Sequence, residues 1–262
     1  MGSCLASVVV LAAALAGAGQ DKMSSLSPVF ESHADLTAQG KIDKLVFASL
    51  RHLNIRPANL CSDAVFVRRV YLDVIGTLPT AGEALQFLAD QNPKKRQALV
   101  DRLLERKEFA DYWAMKWSDL LRIKAEFPIN LWPNAAQAYH RWIRTSIQDN
   151  KPYDRFVREL LTESGSNFRV PPVNFYRALQ SREPQAIAQA VALTLMGTRA
   201  EKWPPERLAG MTVFFAQIGY KSTAEWKEEI IFFDPAKAAA PPSGGTPPAA
   251  IFPERYNAMP RL

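Results

Sequence analysis

The sequence has very few of the side chains that bind metals or form disulfides. It contains two cysteines, Cys4 and Cys61, and three histidines, His33, His52 and His140. No histidine has a second histidine, a cysteine or a paired acid at ligand spacing, so we do not expect a transition-metal site. Removal of an N-terminal leader would leave Cys61 as the only thiol, which excludes an intrachain disulfide.

Other patterns that define common functional classes are also missing. No glycine-rich turn follows a strand, which argues against a nucleotide-binding α/β fold. The segment 164–166 (Ser-Gly-Ser) lacks the flanks of a nucleophile elbow. The net charge is +6, but the basic residues are scattered along helical faces. Because nucleic-acid binding needs a concentrated basic patch, we do not expect a nucleic-acid partner.

The first twenty residues contain no charged side chain. Their apolar run, from Cys4 to Ala18, is shorter than the roughly 20 residues that a transmembrane helix needs. It ends in small residues, which predicts a signal peptide over residues 1–20. An uncleaved anchor is the alternative. We therefore expect an exported protein, periplasmic or at the cell surface, with no stable membrane span after cleavage.

The rest of the chain is predicted to be all-α, an irregular multi-helix bundle with proline-interrupted loops. We expect a linker over 21–39, one helical domain over 40–234, and a disordered Pro/Ala/Gly-rich tail over 235–262 that looks truncated. Near the C-terminus, "TAEWKEEIIFF" follows the last of these helices, and its end could form one short strand.

Helix start and stop signals support this pattern. Ser62 can cap a helix that ends at Gly76, and Thr80 with Glu83 forms a capping box. A stripe at helical spacing, typical of a helical core, consists of Trp113, Trp117, Leu120 and Leu121. The first helix carries an apolar stripe at helical spacing, made of Ile42, Leu45, Val46, Leu50 and Leu53.

Two proline-interrupted loops, "EFPINLWPN" and "SGSNFRVPPVNFYR", carry the polar residues that we take as candidates for ligand binding. With the nearby histidine, they are Glu126, Asn130, Trp132, Asn134, His140, Asn167, Arg169, Asn174 and Arg177. Amides and guanidinium groups beside Trp132, Phe168 and Tyr176 suit a sugar or another polar polymer. The alternative is that these groups satisfy backbone at helix ends, and that His140 is a hydrogen-bonded boundary residue.

Several segments together carry a family resemblance: "IDKLVFASL", "FVRRVYLDVIGTLPT", "FLAD", "RQALVDRLLE", "FADYWAMKWSDLLR" and "NKPYDRFVRELL". In this order they resemble the planctomycete cytochrome-associated domain of unknown function, the DUF family numbered 1549, over about residues 40 to 233. The resemblance implies an exported protein. It also implies that relatives often have a cytochrome-c-like segment upstream and a second planctomycete-type domain downstream.

The resemblance also raises the question of haem. Many relatives have a Cys-x-x-Cys-His motif, which attaches a c-type haem through two thiols and an axial imidazole. Here residues 196–200 read Met-Gly-Thr-Arg-Ala, with neither thiol nor imidazole. We therefore expect no covalent haem and no other cofactor.

The sequence thus favours an exported helical binding or scaffolding domain over an enzyme. The expected partner is an exported protein or a polysaccharide. A redox accessory role, suggested by the family context, is the alternative. A hydrolase acting on an exported polymer, with Asp119 and Glu126 as its acids, is a further one, because two helical turns separate these carboxylates.

Overall fold

The computed structural model describes residues 30–32, 36–125 and 131–237. Within these ranges the chain forms ten α-helices and three short strands, so the prediction of a mostly helical fold is confirmed. The chain divides into two compact units, residues 1–106 and 107–262. None of the described helices combines the length and the apolar character that crossing a membrane requires. The predicted signal peptide lies outside the described residues.

The first unit contains four helices: α1 (Lys41–His52), α2 (Asp63–Ile75), α3 (Ala81–Ala89) and α4 (Lys95–Leu104). Helix α2 packs against both α3 and α4. Their buried core consists of Val67, Val70, Tyr71, Ile75, Phe87, Leu99 and Leu103. Helix α1 contributes no buried residue, and Ile42 and Leu45 of its apolar stripe are 76% and 72% exposed. The helix was predicted correctly, but its stripe does not join this core.

The predicted caps of α2 and α3 are confirmed. The Ser62 hydroxyl accepts a hydrogen bond from the Val65 amide at 3.4 Å, and Gly76 ends α2 in the left-handed conformation with φ 72°. At α3, the Thr80 hydroxyl accepts from the Glu83 amide at 3.3 Å, while the Glu83 carboxylate accepts from the Thr80 amide at 2.8 Å. These bonds satisfy amides that a helix N-terminus leaves unpaired.

The capping box makes the stability of α3 depend on pH. Hydrogen bonds from the Thr80 backbone and hydroxyl lower the pKa of Glu83 to about 2, from an ordinary value of 4.5. Because the folded-state pKa is the lower one, the stabilisation is complete above about pH 4.5 and is lost as the pH falls towards 2. We expect the hydrogen-exchange protection factors of α3 to fall from pH 5 to pH 3, after correction for intrinsic exchange. Glu83→Gln should remove this dependence, whereas Glu105→Gln, at an exposed carboxylate, should keep it.

The second unit contains six helices: α5 (Lys107–Leu120), α6 (Pro133–Gln148), α7 (Tyr153–Thr162), α8 (Asn174–Arg177), α9 (Pro184–Met196) and α10 (Pro205–Val213). Helix α5 packs against α6, and α9 packs against α10. Aromatic rings fill the space between α5, α6 and α7. Trp142 stacks on Phe156 with ring centres 4.8 Å apart, and Trp117 meets Phe156 edge-on at 5.3 Å. The prediction that this stripe packs in a helical core is confirmed for Trp117 and Leu121, whereas Leu120 at the end of α5 is 53% exposed.

Three antiparallel strands complete this unit: β1 (Gly165–Ser166), β2 (Ile218–Ser222) and β3 (Glu229–Phe233), in the order β1–β3–β2. The predicted short strand near the C-terminus is β3. Residues 223–228 form the loop of a β2–β3 hairpin, which the sequence did not predict. Glu229 and Ile231 are buried on one face of β3, with the period of two that is expected of a strand. The hairpin needs glycine at 219, since a Cβ there would lie 2.6 Å from Phe232 Cζ.

The break between α9 and α10 is closed by its own side chains. Gly197 ends α9 with φ 64°, and the Thr198 amide donates to the carbonyl of Ala192 at 3.2 Å. The Trp203 indole donates to the Thr198 hydroxyl at 3.3 Å, and the Arg207 guanidinium lies 4.3 Å from the Trp203 ring centre. Thr198, Trp203 and Arg207 therefore have structural roles here, as a helix-end hydrogen-bond partner and as partners in a ring contact.

Candidate ligand-binding site

The candidate site lies in the second unit, where the segment after α7 meets the β2–β3 hairpin. Strand β1 pairs with β3 and ends at Ser166. Asn167 then continues the pairing with both its backbone and its side chain. Its amide donates to the Glu229 carbonyl at 3.1 Å, and its side-chain oxygen accepts from the Glu229 amide at 2.9 Å. Glu229 is therefore held at the start of β3.

A second buried asparagine shapes the loop between β1 and α8. The side-chain amide of Asn174 donates to the carbonyls of Asn167 at 2.7 Å and Pro171 at 3.0 Å. Both asparagines are fully buried. Their hydrogen bonds replace those that a loop would otherwise make with water. The loop is thus rigid, and it carries α8 and Arg177 towards β3.

Arg177 and Glu229 form the charged centre of the site. Oε2 of Glu229 accepts from Arg177 Nη1 at 2.6 Å and from Arg182 Nη2 at 2.9 Å. The side chains of Arg177 and Glu229 are only 14% and 9% exposed. Burial of this kind is tolerated when the charges are paired. Two guanidinium groups share one carboxylate, so this trio keeps one positive charge.

Several polar groups of the trio remain without partners among the described residues. The buried Nε of Arg177 has no acceptor. Arg177 Nη2 and Glu229 Oε1 make no hydrogen bond with the described part of the chain. The buried Tyr220 hydroxyl also lacks a partner, although the Arg182 guanidinium lies 4.3 Å from the Tyr220 ring centre. Burial raises the pKa of Tyr220 to about 12, so its hydroxyl stays protonated at neutral pH.

A second carboxylate is fixed on the hairpin loop. Glu228 accepts hydrogen bonds from the hydroxyls of Ser166 and Thr223. These two bonds lower the pKa of Glu228. The carboxylate is therefore ionised at neutral pH and is an acceptor of hydrogen bonds rather than a proton donor.

Of these groups, Arg177, Thr223, Glu228 and Glu229 line an open pocket of about 440 Å³. Nine residues line it: Arg177, Ser222, Thr223, Ala224, Glu225, Trp226, Lys227, Glu228 and Glu229. Trp226 is 67% exposed, with Lys227 Nζ 5.2 Å from its ring centre. The pocket thus combines charged planar groups and hydroxyls with an accessible aromatic ring. Its volume is in the range of small-ligand sites, about 300–1,000 Å³.

The structure separates the nine predicted site residues into three groups. Glu126 and Asn130 lie outside the described residues. Asn167, Asn174 and Arg177 come together at the pocket, where Arg177 lines it and the two asparagines hold its walls. Arg169 is exposed in the same loop but does not line the pocket.

The three remaining candidates lie in α6 or directly before it, and they do not line the pocket. Trp132 precedes this helix with φ 68° and is 37% exposed, and Asn134 is exposed in its first turn. His140 is half-buried and has no hydrogen bond with the described residues. Tyr176, proposed beside the sugar-binding amides, is buried and donates to the Leu161 carbonyl at 2.9 Å. It is a core residue.

Sequence reasoning missed Glu228, Glu229 and Trp226. No hairpin is predicted at this segment, so these three residues are not among the predicted site residues. The available signal was the run "EIIFF", whose alternation fits a strand, preceded by a polar stretch of hairpin-loop length. Among the described residues, no three His, Cys, Asp or Glu side chains group as metal ligands. Asp119, the other proposed hydrolytic acid, is exposed at the end of α5.

The fold and the pocket define a mostly helical protein with a small antiparallel sheet that carries a polar cleft. The chain belongs to the family described as PSCyt2, Protein of unknown function (DUF1549), whose model matches residues 41–211. Comparison with curated proteins and with solved structures gave no match. The family match includes Arg177 but stops before the β2–β3 hairpin, so the family covers only one wall of the pocket.

Proposed function

We propose that this protein is an exported binding module whose ligand is a sugar unit of an extracellular or periplasmic polysaccharide. The observation that carries the proposal is the pocket at the β2–β3 hairpin, with an exposed Trp226 beside the buried Arg177–Glu229 pair. Export rests on the apolar leader of residues 1–20, which has the length of a signal-peptide core.

The chemistry of the pocket suits a sugar. Each sugar hydroxyl is both a donor and an acceptor, so it pairs well with sites that offer both. The pocket provides donors on Arg177 and Lys227 and acceptors on Glu228 and Glu229. An indole provides a flat apolar surface for the C–H face of a sugar ring, and its rigidity keeps the entropic cost of binding low.

Binding fits the pocket better than hydrolysis does. A general acid must hold a proton at the working pH. The pKa of Glu228 is lowered by its two hydroxyl donors. The carboxylate oxygen Oε2 of Glu229 accepts from two guanidinium groups. Both carboxylates are therefore held as acceptors, which suits recognition of hydroxyl groups.

The two exposed tryptophans offer a matched test of where the ligand binds. We expect Trp226→Ala to weaken binding to the preferred glycan by about tenfold or more, since a buried aromatic anchor contributes over 1.4 kcal/mol. Trp132→Ala, directly before α6 and outside the pocket, should leave the affinity unchanged. The measurement is a glycan array followed by calorimetry, using secreted protein whose mass shows whether the leader was removed.

The outcomes separate the candidate surfaces. Loss of binding in Trp132→Ala alone would place the ligand at the loop before α6 and contradict the pocket assignment. Absence of binding to every sugar class would refute the polysaccharide proposal as a whole.

A further inference from the structure

Helix α1 has an apolar face that the described residues leave exposed. Its large side chains are Ile42, Leu45 and Val46, together with Leu53 at the C-terminal end, and their exposed fractions are 76%, 72%, 46% and 60%. At about 3.6 residues per turn, these side chains fall within a sector of about 100°, the width of the face that a surface helix normally buries. A contiguous exposed apolar face of this kind marks a site of interaction.

The free charges beside this face all have the same sign. Lys41, Lys44 and Arg51 are exposed on α1, and the helical spacing places them together on one flank of the apolar face. Asp43 is the only acid between residues 36 and 62, and it is half-buried. Its carboxylate accepts hydrogen bonds from two backbone amides at the start of the helix, at 2.8 and 3.1 Å. The one negative charge is therefore used in capping α1.

The remaining sector of α1 is partly covered. Phe47 and Leu50 are half-buried, and the helical spacing places them in the same sector as Asp43. The exposed apolar face and the basic flank are adjacent to each other and lie outside this covered sector. A partner can therefore contact the apolar face and the basic flank at the same time.

We propose that α1 binds the surface of an anionic lipid bilayer. Its apolar side chains enter the boundary between headgroups and acyl chains, while Lys41, Lys44 and Arg51 reach the lipid phosphates with their long side chains. Helices that lie in a membrane interface combine such a basic flank with leucine and similar residues on the other face. A single convex helix needs no matching groove on a lipid surface, whereas a protein partner would have to supply one. No pocket residue takes part, so this site is independent of the proposed polysaccharide ligand.

Vesicle flotation tests the proposal directly. Secreted protein whose mass shows that the leader is removed is mixed with vesicles of phosphatidylglycerol and phosphatidylcholine, or of phosphatidylcholine alone. We expect partition into the anionic vesicles to be about tenfold or more stronger, since each basic residue near an anionic surface adds to the attraction. Raising the salt from about 0.1 M to about 1 M shortens the Debye length from about 10 Å to about 3 Å, and should remove most of this preference.

Two substitutions at one position test the apolar face. Leu45→Asp should lower partition into the anionic vesicles by about tenfold or more, because it places a carboxylate where the helix would enter the bilayer. Leu45→Ala keeps a strong helix former, so its smaller loss of partition cannot come from unfolding of α1. Far-UV circular dichroism of both variants reports the helical content before vesicles are added.

The basic flank has its own test. The double variant Lys41→Gln/Lys44→Gln should remove most of the preference for anionic vesicles, because it eliminates two of the three cations on the flank. Its partition into phosphatidylcholine should stay the same as that of the wild type, since the apolar face is unchanged.

Leu85→Asp is the matched control. Leu85 is 68% exposed on α3 of the same unit, but residues 81–90 contain two acids and no basic residue. An anionic lipid surface is repelled by such a helix, so this substitution should leave the partition unchanged. Equal losses in Leu85→Asp and Leu45→Asp would show general adsorption of apolar surface and would refute the assignment to α1.

The remaining outcomes contradict the proposal in different ways. Absence of binding to anionic vesicles would refute the lipid partner. Binding of polyglutamate, in a form that Lys41→Gln/Lys44→Gln abolishes and without any binding to vesicles, would assign this surface to an acidic polypeptide instead. Vesicle binding only by protein that retains its leader would place the membrane contact on residues 1–20. The sugar pocket is tested separately, by the glycan measurements on Trp226→Ala.

Discussion

Glu229→Ala is expected to lower the free energy of unfolding of the unit 107–262 by about 3–5 kcal/mol, the range for breaking a buried ion pair. The substitution leaves Arg177, which is 14% exposed, without the only hydrogen-bond acceptor that it has among the described residues. Burying an unpaired charge costs much more than the attraction that was lost. Urea unfolding followed by tryptophan fluorescence measures this unit alone, because all six tryptophans lie within it.

Glu225→Ala is the control for the loss of one acid from the hairpin loop. Glu225 is exposed, so its substitution should change the free energy of unfolding by less than about 0.5 kcal/mol. The double variant Glu229→Ala/Arg177→Leu should recover part of the loss, since it also removes the stranded charge. A loss below 1 kcal/mol in Glu229→Ala would mean that the pair is open to water and that the pocket base is not as described.

Local signals in the sequence predicted the helices well. Ser62, Gly76 and the Thr80–Glu83 box each act within four residues, so the sequence contains all the information that sets these helix ends. The same holds for the aromatic stripe around Trp117, whose helical spacing is a local pattern. These local signals do not show whether another element packs against the apolar face of a helix. The stripe of α1 has the right period, yet the described residues leave it exposed.

The sequence predicted the loop that carries Arg177, but not the hairpin that forms the rest of the site. The loop with Asn167, Asn174 and Arg177 stood out because prolines and polar groups interrupt the helices there. The partner of Arg177 is Glu229, 52 positions further along the chain, and no local pattern joins them. Their pairing depends on β1 meeting β3, and the sequence predicted β3 but not the strand β1 with which it pairs. Long-range strand pairing is set by tertiary contacts rather than by propensity.

Burial also separates two residues that the sequence treats alike. Asn134 and Asn167 both follow or precede helices in proline-interrupted loops, and both were candidates for ligand binding. Asn134 is exposed, whereas Asn167 is fully buried and supplies the acceptor for the Glu229 amide. The same side chain is thus exposed to solvent at the start of α6 and committed to the fold in the loop after β1.

Asn167→Ala is expected to lower the free energy of unfolding of the same unit by about 2 kcal/mol, the cost of a buried amide left without an acceptor. The amide concerned is that of Glu229, which donates to the Asn167 side chain at 2.9 Å. Its hydrogen exchange should therefore accelerate more than that of other β3 amides. Asn134→Ala, the matched control, should leave both quantities unchanged. Equal effects of the two substitutions would show that Asn167 does not clamp β3, and that Arg177 and Glu229 are held in place by other contacts.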